Sequence, residues 1–312
     1  MSNTSEMSDC MPCPGLYCGR PYNSSSCFNI SNCGACPQGY RTDGYHCQPC
    51  EKDLQLYDWL YIVFMSLSIP VLHFYVIDYF GADPNKRKTT HGTKKKVWLL
   101  HLAAFFESVI SLIFTILLAE PRGSFRVHAC GVSSIKDWYT LFFNPKLRYV
   151  HSVHCTHEAV YPLYTLIFVY LLLCTAFMVV IRGIIIRAVF RNFGRSPFYA
   201  GLYILPIIAA IHACLAGVLY YIFPYLVLIG SALGVGVFLT LLNWNFNYFK
   251  NLRKPRSIAI MLCYCLAHGF GITSITEFAV PSRDGPLLLL VFLPFIFYTT
   301  TMPFTAAANF KS

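Results

Sequence analysis

The chain has 312 residues, 56% of them hydrophobic and 12% charged, with 26 Phe, 21 Tyr and a mean hydropathy of +0.51. Ordinary soluble domains carry about 25% charged residues, and a single core cannot bury this much apolar surface, so a soluble globular protein is excluded. The formal net charge of +10 does not point to nucleic acid, because Lys and Arg stand in short clusters beside apolar runs, where they orient membrane spans.

Residues 1–56 read as a cysteine-rich module holding Cys10, Cys13, Cys18, Cys27, Cys33, Cys36, Cys47 and Cys50. Such density in a segment with little apolar chain means that covalent or metal staples stand in for a core. The spacing Cys33-x2-Cys36-x10-Cys47-x2-Cys50 fits a zinc ribbon, in which paired thiolates complete a tetrahedral site. With Gly39 and Tyr40 between the pairs, it fits a small disulfide module equally well. Glycosylation acceptor sequences begin at Asn3, Asn23 and Asn29 and nowhere else in the chain. Their confinement to this segment favours disulfides, which persist in an oxidising lumen, with the connectivity open.

Seven apolar stretches follow, at 57–79, 97–118, 160–181, 199–221, 225–242, 257–276 and 287–305, each about long enough to cross a hydrocarbon core of about 30 Å. The predicted fold class is an all-α membrane protein, a seven-helix bundle over 57–306 with a tail at 307–312. Two spans meet almost without a loop at Tyr220–Pro224, a sequence suited to a tight turn at an aromatic interface or to a re-entrant pair.

Lys and Arg alternate with these spans. Fifteen fall in the first, third and fifth connections and the tail, which include Lys86, Arg87, Lys88, Arg182, Arg187, Lys250 and Lys311; the other nine are spread over longer segments. The amino terminus is therefore expected in the lumen and the carboxyl terminus in the cytosol. No removable signal peptide precedes residue 57, so the first span serves as the insertion signal.

In the second connection, Cys130 and Cys155 are placed to bridge its ends, and Trp138, Tyr139, Phe142 and Phe143 form an aromatic cluster suited to the headgroup layer. At the entrance to the third span, His151, His154, His157 and Glu158 have a composition that suits zinc; a disulfide at Cys155 and interfacial imidazoles are the preferred reading. Ionisable groups at membrane depth are costly and count as functional candidates. Here they are His73, His101, Glu107, His212 and His268. No span carries two of them at metal-ligand spacing, so bundle hydrogen bonds are preferred over a metal, and no cofactor is expected. No nucleophile elbow, phosphate loop or kinase signature is present. On the cytosolic side Arg253, Lys254 and Arg256 precede Ile258 and Ile260, a pattern resembling a docking peptide for mitogen-activated kinases; the same residues also serve as flanking charges and the start of a span.

The run His154-Cys-Thr-His-Glu-Ala-Val-Tyr-Pro-Leu-Tyr-Thr165, with Leu16-Tyr-Cys-Gly19, Cys47-Gln-Pro-Cys50 and Leu56-Tyr-Asp-Trp-Leu-Tyr61, resembles the Jun-kinase-associated membrane protein family. The resemblance implies a non-enzymatic seven-span adapter of the endoplasmic reticulum that associates with a Jun amino-terminal kinase. It also implies recruitment of proteasome subunits and membrane ubiquitin ligases to degrade misfolded proteins. The chain departs from the family pattern in its short tail and in the extra pair Cys10 and Cys27. Competing readings are a seven-helix receptor whose cysteine module binds a ligand, and an intramembrane metal-dependent hydrolase built on His73, His212, His268 or Glu107.

Overall fold

The computed structural model describes residues 11–13, 15–22, 33–81, 91–143, 155, 159–190, 195–241 and 253–305. Asn3, Asn23, Asn29, Cys10, Cys27, His151, His154, His157 and Glu158 lie outside the described residues. The chain divides into two compact units, Met1–Val218 and Leu219–Ser312. Among the described residues, six helices are long and apolar enough to cross a membrane.

The first unit begins with a module of short strands: β1 (Cys18–Gly19) pairs with β2 (Gly34–Ala35), and β3 (Tyr40–Thr42) pairs with β4 (Cys47–Pro49), both antiparallel. Strands this short have no apolar face to bury, so sulfur links hold them: Cys13–Cys33 and Cys36–Cys47 close within the module. The cysteines that shared zinc-ribbon spacing thus diverge to three different disulfides and form no common site.

Two further links overturn the expected bridge between Cys130 and Cys155. Cys18 bonds Cys155, and Cys50 bonds Cys130. The reason is local pairing: β5 (Lys52–Asp53) lies antiparallel to β6 (His128–Ala129), which brings the Cα atoms of Cys50 and Cys130 to 4.7 Å. Each end of the second connection is therefore tied to the module instead of to the other end.

Helix α1 (Leu56–Gly81) starts six residues after Cys50, and the amide of Gln55 donates to the Asp58 carboxylate in its first turn. Helix α2 (His91–Leu118) is followed by a short α3 (Thr140–Phe143) and packs between α1 and α4 (Leu163–Phe177). With no water to satisfy polar groups in hydrocarbon, the hydroxyls of Ser108, Ser111 and Thr115 donate to carbonyls one turn back along α2. At the end away from the module, Ile77, Leu100, Ala104 and Ile186 close the core. Beyond Phe177 the third span continues as a π-helix (Met178–Arg182), one α-turn, α5 (Gly183–Ile185), and a second π-helix (Ile186–Phe190).

Helix α6 (Arg195–Leu241) runs unbroken through the turn expected at Tyr220–Pro224. Pro224 removes one helical hydrogen bond, which apolar surroundings tolerate, and every residue around it is a helix-compatible apolar one. At about 1.5 Å per residue the helix is roughly 70 Å long, about twice what one crossing of a bilayer uses. It passes from the first unit to the second between Val218 and Leu219.

In the second unit α7 (Pro255–Thr276) starts with proline at its first turn and ends at Glu277, whose φ of 52° stops the helix. Then come α8 (Pro281–Leu287), a 3-10 segment (Leu288–Phe292) and α9 (Leu293–Thr305). Gly234 and Gly236 admit the rings of Tyr264 and Tyr298 into the space where a Cβ would stand.

The aromatic loop of the second connection packs on α6 inside the first unit. A Cβ on Gly217 would stand 2.6 Å from the Cβ of Trp138 and 2.9 Å from Tyr139, and the Tyr139 hydroxyl accepts from the Val218 amide at 3.3 Å. Gly217→Ala should therefore destabilise the protein by about 1–3 kcal/mol through overpacking, whereas Gly183→Ala, with nothing within 4 Å, should be neutral or mildly stabilising. Thermal unfolding of the two variants in detergent checks this, and equal melting temperatures would refute the docking.

Candidate functional site

The structure places a buried charge pair where the sequence suggested only one partner. Glu107, midway along α2, is 2% exposed, and Arg182 is fully buried. Arg182 Nη2 donates to Glu107 Oε2 at 2.5 Å and Nε donates to Oε1 at 3.4 Å, a side-on fork that matches both carboxylate oxygens. Arg182 was expected among the cytosolic flanking charges of the third connection. The span does not end at residue 181 but continues to Ala188, and the wide π turn at Met178–Arg182 shifts the helical phase so that the guanidinium points inward, toward α2. The missed signal is a lone arginine five residues before the next one, with Gly183 and three isoleucines between.

His73 of α1 is 4% exposed and lies within reach of the Arg182 charge. Its ring and the sulfur of Met178 close on Gly201 of α6, at 3.2 and 3.0 Å from where a Cβ would stand. Nearby, the Tyr170 hydroxyl donates to the Ser66 carbonyl at 2.9 Å, close to the side chains of Cys174 and Ser108. One guanidinium nitrogen, Nη1 of Arg182, has no hydrogen-bond partner among the described residues. The cluster joins α1, α2, the third span and α6 around one neutralised charge pair.

The remaining expected intramembrane groups do not converge on it. His101 contacts Asp78 at 3.3 Å. His212 is buried between the rings of Tyr164 and Phe168, with Nε2 3.2 Å from the Tyr164 carbonyl; that carbonyl can only accept, so Nε2 carries the proton. His268 on α7 lies 2.8 Å from the Ser231 hydroxyl, which also donates to the Leu228 carbonyl. Among the described residues no three His, Cys, Asp or Glu side chains are grouped to hold a metal ion, so the hydrolase reading finds no ligand set there. Arg253, Lys254, Arg256 and Ile258 are exposed and Ile260 half-buried, but Pro255 opens α7, so the two isoleucines lie on a helix rather than on an extended peptide.

A second polar centre lies where the module meets the connection. Asp137, 4% exposed, receives hydrogen bonds from the Ser133 amide and hydroxyl at 2.8 and 2.7 Å, from Arg41 at 3.0 Å and from the Tyr17 hydroxyl at 3.2 Å. Arg41 also donates to the Gly131 carbonyl at 2.6 Å. Burial pushes the Asp137 carboxyl up, but the bonds from Ser133 and Arg41 together outweigh it and hold it below its usual 3.8. Burial, reinforced by Asp137, pushes the Tyr17 phenol up to about 12.

Removing one member of a buried pair strands the other charge, so Arg182→Met should cost about 3–5 kcal/mol, whereas Glu107→Leu with Arg182→Met should recover most of it; melting temperatures in detergent and steady-state abundance report both. For Asp137, with a folded pKa below the unfolded value, the stabilisation is complete above about 3.8 and is lost as pH falls through the folded value. Emission from Trp138 should hold steady from about pH 7 to about pH 5 and shift only in stronger acid, while Asp137→Asn should flatten that acid transition.

The chain matches the family described as "JNK1/MAPK8-associated membrane protein" over residues 13–307. Curated relatives with that description in Mus musculus and Homo sapiens are each 37% identical over 308 residues, covering 96% of this chain and 96% of the relative. A homologue in Caenorhabditis elegans is 32% identical over 89% of this chain and 84% of its own length. No solved structure matches. Identity at this level, sustained from the cysteine module through the last span, places the chain in the JNK1/MAPK8-associated membrane protein family.

Proposed function

We propose that the chain is a non-enzymatic adapter of the endoplasmic reticulum membrane that associates with a Jun amino-terminal kinase and recruits proteasome subunits and membrane ubiquitin ligases for degradation of misfolded proteins. The observation that carries this reading is the near full-length match to relatives named for association with JNK1. Their names describe associated membrane proteins rather than enzymes, in keeping with an adapter. Retention in the endoplasmic reticulum and the degradative partners come from the family resemblance.

Orientation is argued from chemistry. The module carries disulfides and, in sequence, the acceptor sites Asn3, Asn23 and Asn29, which suits an oxidising, glycosylating lumen. The basic connections then face the cytosol. Both ends of α6 abut basic sequence, with Arg195 at one end and Lys250, Arg253, Lys254 and Arg256 beyond the other, so the charge rule places both ends in the cytosol, which requires the unbroken helix to fold back into two crossings near Pro224 when it enters the bilayer. An acceptor sequon inserted after Pro224 should then be glycosylated, whereas one inserted after Arg256 should not.

Kinase association is assigned to Arg253, Lys254, Arg256, Ile258 and Ile260, whose basic end is exposed; engaging both isoleucines in alternate pockets requires the first turn of α7 to unwind. Affinity capture from digitonin-solubilised membranes with quantitative mass spectrometry, beside an unrelated seven-span protein, should enrich kinase, proteasome and ligase subunits. Arg253→Glu with Lys254→Glu should reduce kinase recovery about tenfold or more, since removing the basic end deletes the charge complementarity, and leave proteasome recovery unchanged. Recovery of translocon and chaperones only, at control levels, would overturn the adapter reading.

A further inference from the structure

We propose that Cys50–Cys130 is a thiol–disulfide exchange site, the link at which a dithiol oxidoreductase of the lumen opens and closes the covalent tie between the module and the bundle. The proposal rests on the lumenal placement of the module. Among the disulfides of the described residues, the other three join cysteines that are all buried: Cys13 at 7%, Cys33 at 6%, Cys36 at 2%, Cys47 at 3%, and Cys18 and Cys155 at 0%. Cys50 and Cys130 are both partly exposed. Exchange requires an attacking thiolate to reach a sulfur from outside, so access alone sets this bond apart.

Its position gives opening a consequence. The bond spans 80 residues of sequence, and it lies beside the β5–β6 pair and six residues before α1. Only one other disulfide of the described residues, the buried Cys18–Cys155, makes the same connection. Opening Cys50–Cys130 therefore loosens the module without releasing it. Cationic groups also favour thiolates: Arg41 donates to the Cys130 and Gly131 carbonyls at 3.5 and 2.6 Å, and Lys52 stands two residues from Cys50.

In the exchange, a thiolate of the incoming dithiol attacks the Cys50 sulfur and a mixed disulfide forms. The Cys50–Cys130 bond breaks, and Cys130 leaves as a thiolate beside Arg41 and takes up a proton. The second thiol of the oxidoreductase then attacks the mixed disulfide, leaving its own sulfurs joined and Cys50 as a thiol. Two electrons and two protons pass from the dithiol to the protein.

The test titrates sealed membranes holding the full chain with dithiothreitol, followed by N-ethylmaleimide and mass spectrometry of each cysteine peptide. Cys50 and Cys130 should become alkylated together at about tenfold lower dithiothreitol than Cys13, Cys33, Cys36, Cys47, Cys18 and Cys155. Hydrogen exchange at residues 50–56 and 126–131 should rise over the same range. Reduction of all four bonds in concert, or of any buried bond first, would overturn the proposal. Alkylation of all these cysteines before any reductant is added would instead overturn the lumenal reading on which it rests. The variant Cys50→Ala with Cys130→Ala should retain the other three bonds at unchanged dithiothreitol resistance, and their loss at the concentration that opens Cys50–Cys130 in the parent would count against independent opening.

Discussion

The amino-terminal residues contain too little apolar chain to fold around a core of their own, and that shortage dictates much of the first unit. Strands of two or three residues hold their register only because sulfur links and the bundle hold them, so the module and the second connection are folded as one body. Cys18–Cys155 and Cys50–Cys130 do this covalently, and Asp137 does it by hydrogen bonds to Ser133, Arg41 and Tyr17. The neighbouring Trp138 then sits against Gly217. A continuous path of bonded and packed groups runs from the module through the connection to α6.

A second constraint acts in the bundle, where an isolated charge has no water to solvate it. Glu107 and Arg182 answer each other with two hydrogen bonds, and the pair fixes the register of α2 against the third span in a way that apolar contacts, which slide easily, do not. The π-helical turns on either side of Gly183 allow this pairing, since a regular helix would carry the guanidinium around to another face. Polar side chains that cannot pair across helices, such as Ser111 and Thr115, bond to their own helix instead.

Membership in a family named for kinase association fits a molecule whose distinctive chemistry is structural. The groups that a hydrolase would have needed are engaged in packing, as preferred from the sequence: His212 with aromatic rings and a carbonyl, Glu107 with Arg182. The basic segment at the start of α7 is exposed, and Pro255 begins the helix within it, so the proposed docking competes with the first helical turn.

By itself the sequence established the membrane class, the apolar segments, the charge alternation, the cysteine module and the family, because each depends on composition, period or motif along the chain. His73, Glu107 and His212 were also legible as buried polar groups, since any ionisable residue inside an apolar run must be accommodated. The partners were not legible. Only tertiary structure decided that Cys130 and Cys155 bond the module instead of one another, that Arg182 turns inward to Glu107, and that α6 continues through Pro224. Each of these depends on which segments lie side by side in space or on the helical phase after a π turn, and neither is encoded in the spacing of residues along one strand of sequence.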